Sequence, residues 1–153
     1  MTESKVYLAL YKGRKKGSNL TALLARFSDW LTRKLTKGEY SHCEIVLVND
    51  GRTICYSSSV RDGGVRKKEM ILDHEKWDLI TLEKVSEFQV RQYFEKTKGA
   101  RYDFWGALGI VLGIKQKRSK FFCSEWCFNA IKNSDQGWRF SPNDLNEIFR
   151  NYN

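Results

Sequence analysis

The run Cys43-Glu-Ile-Val-Leu-Val48 passes through Asn49-Asp-Gly51 into Thr53-Ile-Cys-Tyr-Ser57. Two β-branched and apolar segments joined by an Asn/Asp-Gly turn share a buried face only as an antiparallel hairpin. Any fold open to this chain therefore contains a sheet with residues 43–57 in it, and the other segments are constrained by how they extend or cover that sheet.

Around the hairpin the hydrophobic period changes. Lys5 to Tyr11 alternates as a strand, and Val65–Leu72 and Trp77–Leu82 read as further strands. Residues 19–36 have helical spacing, with Ser18 or Asn19 as cap. Leu20, Leu23, Leu24, Phe27, Leu31 and Leu35 form one stripe, which predicts a buried face. Ser86-Glu-Phe-Gln89 opens a helix running to about Lys98, with Gly99 at its end. Phe104 to Ile114 is expected to be a short helix, its glycines allowing close packing. Cys123 to Asn133 reads as a buried helix. Ser141-Pro142 caps a last one over 142–150. Strand, helix, antiparallel strands and then helices make an α+β chain.

Of the 153 residues 41% are hydrophobic and 14% aromatic, enough for a core, and the one proline, Pro142, marks no linker. A single domain over 1–153 follows. The net charge of +9 is uneven: residues 1–40 hold nine Lys/Arg against three Asp/Glu. Basic runs stand at Lys12-Gly-Arg-Lys-Lys16, Arg66-Lys-Lys68 and Lys115-Gln-Lys-Arg-Ser-Lys120. Such a surface attracts anionic partners, or simply keeps a small protein in solution. No nucleic-acid-binding motif accompanies it. Val6 to Tyr11 is too short for a signal-peptide core, and Phe104 to Ile114 is about half of what a bilayer span needs. The expectation is a cytoplasmic protein with no stable membrane span, its four cysteines unbridged.

Cys123 opens a predicted helix behind Phe121 and Phe122. A thiol there faces unpaired N–H groups and the positive end of the helix dipole, which favours the thiolate and offers donors to an oxyanion. By itself the residue also fits a small buried hydrophobe. His42, at the mouth of the hairpin's first strand, supplies the missing base. Glu44, two residues on, projects to the same side of the strand and is placed to orient the imidazole. The other histidine, His74, lies in the polar turn Asp73-His-Glu-Lys76. Cys43 and Cys55 read as structural. Cys127 follows Cys123 by one helical turn and fits the core or a resolving thiol.

A zinc deaminase is the competing chemistry, since His42-Cys-Glu44 matches the H-x-E half of that motif. Its other half, P-C-x-x-C, is absent: Phe122 replaces the proline, and three residues separate Cys123 from Cys127. The expectation is that the chain uses neither metal nor cofactor.

Four segments in order, Ser41-His-Cys-Glu-Ile-Val46, Gly99-Ala-Arg-Tyr-Asp103, Phe122-Cys-Ser-Glu-Trp-Cys127 and Ser141-Pro-Asn-Asp-Leu145, resemble a circularly permuted NlpC-type, papain-like cysteine hydrolase of the YiiX-like branch. The resemblance covers roughly residues 40–145. It implies a papain-like domain in which the histidine strand precedes the cysteine helix, with Cys123 as nucleophile and His42 as base. Many relatives carry a third polar residue on the following strand, about a dozen positions past the histidine. Ile54 stands there in this chain, with Tyr56 and Ser57 the nearest polar residues and Glu44 the other candidate. Small proteins of tailed bacteriophages have similar sequences, which implies a phage origin and a host-cytoplasm setting.

The leading expectation is a thiol hydrolase acting on a peptide, amide or ester carbonyl. The loop Ser57 to Arg66 would line the cleft, with Tyr56, Ser57, Gly63 and Gly64 at the substrate. The alternatives are a non-enzymatic binding protein using the basic face, and a lipid acyltransferase using Phe104 to Ile114 against a membrane.

Overall fold

The computed structural model describes residues 4–14, 17–103 and 120–152, apart from the side chain of Leu35. The expected helix over Phe104 to Ile114, most of the basic run from Lys115, and Lys15 and Lys16 lie outside the described residues. Those described form a mixed α+β structure with a seven-stranded sheet and four α-helices. In chain order they are β1 (Lys5–Tyr11), α1 (Leu20–Thr36), β2 (His42–Asn49), β3 (Arg52–Ser59), β4 (Gly64–Glu69), β5 (Trp77–Thr81), α2 (Glu87–Thr97), β6 (Arg101–Tyr102), β7 (Lys120–Phe121), α3 (Cys123–Lys132) and α4 (Pro142–Phe149). The sheet order is β5-β1-β2-β3-β4-β6-β7. All neighbours are antiparallel except β6 and β7.

The hairpin forms in the expected register, with Val46 opposite Cys55 and Asn49 opposite Arg52. Asp50 and Gly51 both take positive φ at its turn, as a two-residue hairpin loop requires. Strand β2 lies inside the sheet, and strand alternation divides its side chains between two layers. Cys43, Ile45 and Leu47 join Leu8, Leu10, Val90, Trp126, Leu145 and Phe149 in the main core beneath the helices. Val46 joins Ala9 and Cys55 in a smaller cluster edged by Met70, Leu72 and Trp77.

Polar bonds lock the helices in place. Trp126 Nε1 donates to Thr97 Oγ1 at 2.8 Å, and Gln89 Nε2 to the carbonyls of Ala130 and Ile131. The caps follow the sequence: Asn19 on α1, Ser86 on α2, and a full Ser141/Asp144 capping box on α4. Asn143 ties α4 to the start of β2. It accepts from Tyr40 N at 3.0 Å and donates to Tyr40 O and Thr36 Oγ1.

One expectation is overturned. The stripe of α1 is not buried: Leu20, Leu23, Leu24 and Phe27 are exposed, as is Trp30 beside them, and Leu31 is only partly covered. The face turned inward carries Ala22, Ala25, Ser28 and Asp29. The reason is how the helix is tethered. Asp29 accepts from Ser41 Oγ, and Arg33 donates to the carbonyls of Lys12 (3.2 Å) and Gly13. These polar anchors, with small residues between them, set the rotation of α1 against the sheet end.

Candidate active site

Two short connections bring the site together at one end of the sheet. On one side, Ser41 N donates to Tyr11 O at 3.0 Å and Tyr40 Oη to Asp78 Oδ2 at 2.6 Å, which fixes the backbone directly ahead of His42. On the other, Phe121 O accepts from Asp103 N at 3.0 Å and from Ser58 Oγ at 2.5 Å, which fixes β7 directly ahead of Cys123. Cys123 is the first residue of α3. Its N-cap, Phe122, makes no side-chain capping bond, so no N-cap side chain competes for the N–H groups of the first turn.

Cys123 and His42 meet. The thiol shares side-chain hydrogen bonds with Cys43 and with His42. The bond from Cys43 lowers its pKa well below the usual thiol value; burial opposes this, and the positive charge on His42 adds to it. Both groups are nearly enclosed, Cys123 at 4% exposure and His42 at 8%.

His42 Nε2 lies 2.9 Å from Glu44 Oε1. Trp77 stands edge-on to the imidazole, 6.2 Å between ring centres. Glu44 is 1% exposed. Burial would raise its pKa, but hydrogen bonds from Arg66 and then His42 outweigh that and hold it at about 2. Arg66 supplies Nη1 to Oε2 at 2.6 Å and Nη2 to Oε1 at 2.5 Å, while its Nε donates to Asp62 Oδ2 at 2.9 Å. The chain Asp62–Arg66–Glu44–His42–Cys123 thus runs from the β3–β4 loop to the helix N-terminus.

The other thiols differ from Cys123. Burial, with hydrogen bonds to Cys123 and Cys127, pushes the Cys43 pKa well up. Burial and the negative charge of Glu44 push Cys55 up to about 12. Cys127 is raised by burial as well. Cys43 is more than the structural residue expected, because its thiol touches Cys123.

Of the residues expected at the substrate, Tyr56, Ser57 and Gly64 are buried and Gly63 is exposed. Tyr56 is packed in the main core, edge-on to Phe94 at 5.2 Å, because its position on β3 points it beneath the helices. Ser57 is fully buried and donates to Cys43 O at 2.7 Å, a strand-to-strand link. Neither orients His42; Glu44 does. Gly64 serves the sheet: a Cβ there would lie 2.0 Å from Ala100 O, so its bare backbone is what lets β4 pair with Arg101. Gly63 is an exposed turn residue whose carbonyl accepts from Tyr102 N. His74 is exposed, as its polar surroundings suggest.

Two participants escaped the sequence reading. In the sequence Arg66 stands out as part of a basic run and as the end of the loop from Ser57, not as the partner of Glu44, although a carboxylate inside an apolar strand demands a cation nearby. Tyr102 lies within electrostatic range of Cys123; burial and then the charge of that sulfur raise its phenol pKa, while a hydrogen bond with Ser28 works the other way. Its place follows from the β4–β6 pairing, which no local pattern announces.

Among the described residues no group of three or more His, Cys, Asp or Glu side chains is arranged to hold a metal ion, and no helix is long and apolar enough to cross a membrane. The sequence matches no protein-family model, and no curated protein is significantly similar to it.

Proposed function

We propose that this protein is a thiol hydrolase in which Cys123 attacks an amide, peptide or ester carbonyl. One observation carries the reading: a thiol at an uncapped helix N-terminus is hydrogen-bonded to an imidazole whose Nε2 is held by a buried carboxylate. That combination is what an activated cysteine nucleophile requires. A histidine strand ahead of a cysteine helix also accords with a circularly permuted papain-like domain.

His42 takes the proton from Cys123, and the thiolate adds to the carbonyl carbon as the π electrons move to oxygen. The Cys123 backbone N–H meets that oxyanion. The intermediate collapses to a thioester, breaking the bond to the amine or alcohol, which leaves with the proton from His42. His42 then draws a proton from water, hydroxide adds to the thioester, and the acid departs as the thiol is restored. Glu44, pinned by Arg66, holds the imidazole in one tautomer and offsets its charge while the proton is on it. The scheme requires no cofactor.

A carbonyl-directed electrophilic probe tests this. Mass spectrometry should place the adduct on Cys123 and show it lost in His42→Ala, while Cys123→Ala stays folded. An adduct spread evenly over the four cysteines, or one unaffected by His42→Ala, sinks the mechanism. The second reading, a binding protein on the same scaffold, draws support from the small exposed area of Cys123 and predicts no adduct at all.

A further inference from the structure

We propose that the outward face of α1 docks flat on an anionic lipid bilayer. The helix is inverted relative to an ordinary packed one: it hides Ala22, Ala25, Ser28 and Asp29 and displays its large apolar side chains. Leu20 is 74% exposed and Trp30 53%, with Leu23 and Leu24 between them and the Phe27 ring tilted against Trp30 at 6.0 Å between centres. At helical spacing these residues occupy an arc of about 120°. A continuous apolar face displayed on a surface marks an interaction site.

The charges beside that arc choose the occupant. Arg26, Lys34 and Lys37 are exposed on or next to it, and Lys34 Nζ stands 5.1 Å from the centre of the Trp30 ring. Arg14, Arg26 and Arg33 join Leu23, Trp30 and the nearly buried Asp29 around a concavity of about 700 Å³. Asp29, the acidic residue of the helix, is turned inward against Arg33 and Ser41. Apolar residues that reach the acyl boundary, an amphipathic Trp and flanking long-stemmed cations that stay at the headgroups define an interfacial helix. Juxtamembrane cations each strengthen the attraction to anionic lipid. A second copy fits less well, because self-docking would set Arg26, Lys34 and Lys37 against their own duplicates. The surface stands whether or not Cys123 is a nucleophile.

Co-sedimentation with vesicles of phosphatidylcholine containing about one third phosphatidylglycerol tests the proposal. The parent protein should sediment with them, release as salt rises, and stay in solution with pure phosphatidylcholine. Leu20→Glu/Leu24→Glu and Arg26→Glu/Lys34→Glu should each weaken binding roughly tenfold or more, with circular dichroism and melting unchanged because the altered side chains are exposed. Quenching of Trp fluorescence by brominated lipid should fall in Trp30→Phe. Failure of the parent to bind anionic vesicles overturns the proposal. So does undiminished binding of the Leu20→Glu/Leu24→Glu variant, or a dimer that this variant dissociates in the absence of vesicle binding.

Discussion

Both terminal nitrogens of Arg66 close on the carboxylate of Glu44, reaching across β3 from β4 to β2 at 2.6 and 2.5 Å. Glu44 is thereby a fully charged group inside the protein, and it also bonds to the imidazole of His42. The rigidity of His42 thus depends on an arginine two strands away.

Removing that arginine should be costly. Arg66→Ala leaves a buried carboxylate short of its main partner, and urea denaturation should show a loss of about 3 kcal/mol. Pairing Arg66→Met with Glu44→Gln removes both charges and should recover most of that loss. A double variant no more stable than Arg66→Ala would show that the pair does not matter in this way.

Acid should act through the same group. The Glu44 carboxyl is held at about 2 against an ordinary 4.5, so its contribution to stability is complete above about pH 4.5 and disappears as the pH falls through about 2. The shift corresponds to about 3 kcal/mol. Denaturant midpoints measured across that window should fall less steeply for Glu44→Gln than for the parent.

Thiol reactivity should separate the four cysteines. Iodoacetamide at mildly acidic pH should label Cys123 well ahead of Cys43, Cys55 and Cys127, whose pKa values are raised. Cys43→Ala removes a donor to the Cys123 thiolate and should move the midpoint of its pH–rate curve upward, whereas Cys43→Ser should largely preserve it. Peptide mapping of the labelled protein reads both effects; an unmoved midpoint in Cys43→Ala would discount the Cys43 bond.

The adjacent glycines should respond unequally. At Gly64 a methyl group meets Ala100 O at 2.0 Å, so Gly64→Ala should destabilise by about 3 kcal/mol and disturb the β4–β6 pairing. At Gly63 no atom stands within 4 Å and φ is +79°, so Gly63→Ala should cost about 1 kcal/mol. Thermal melts of the two variants give the comparison, and equal losses would contradict it.

Local chemistry was legible where a residue answers to its neighbours in sequence. The Asn49-Asp-Gly51 turn, the caps Ser86 and Ser141, a cap at Ser18 or Asn19, and the alternation that sends His42 and Glu44 to one side of β2 all follow from backbone geometry within a few residues. The position of Cys123 at a helix start was readable for the same reason.

What packs against what was decided elsewhere. The stripe of α1 has the period of a buried face, yet periodicity states only that a face exists, and the Asp29–Ser41 and Arg33–Gly13 bonds choose which way it points. Tyr56 and Ser57 were polar and near His42 in sequence, but strand pairing set one beneath the helices and closed the other onto Cys43 O. Arg66 and Tyr102 reach the site because β4 and β6 become neighbours through contacts tens of residues apart in the chain. Sequence governs the conformations that short-range sterics and hydrogen bonding select. The partners of a buried charge are selected by the whole fold, since only there is water removed and another side chain required in its place.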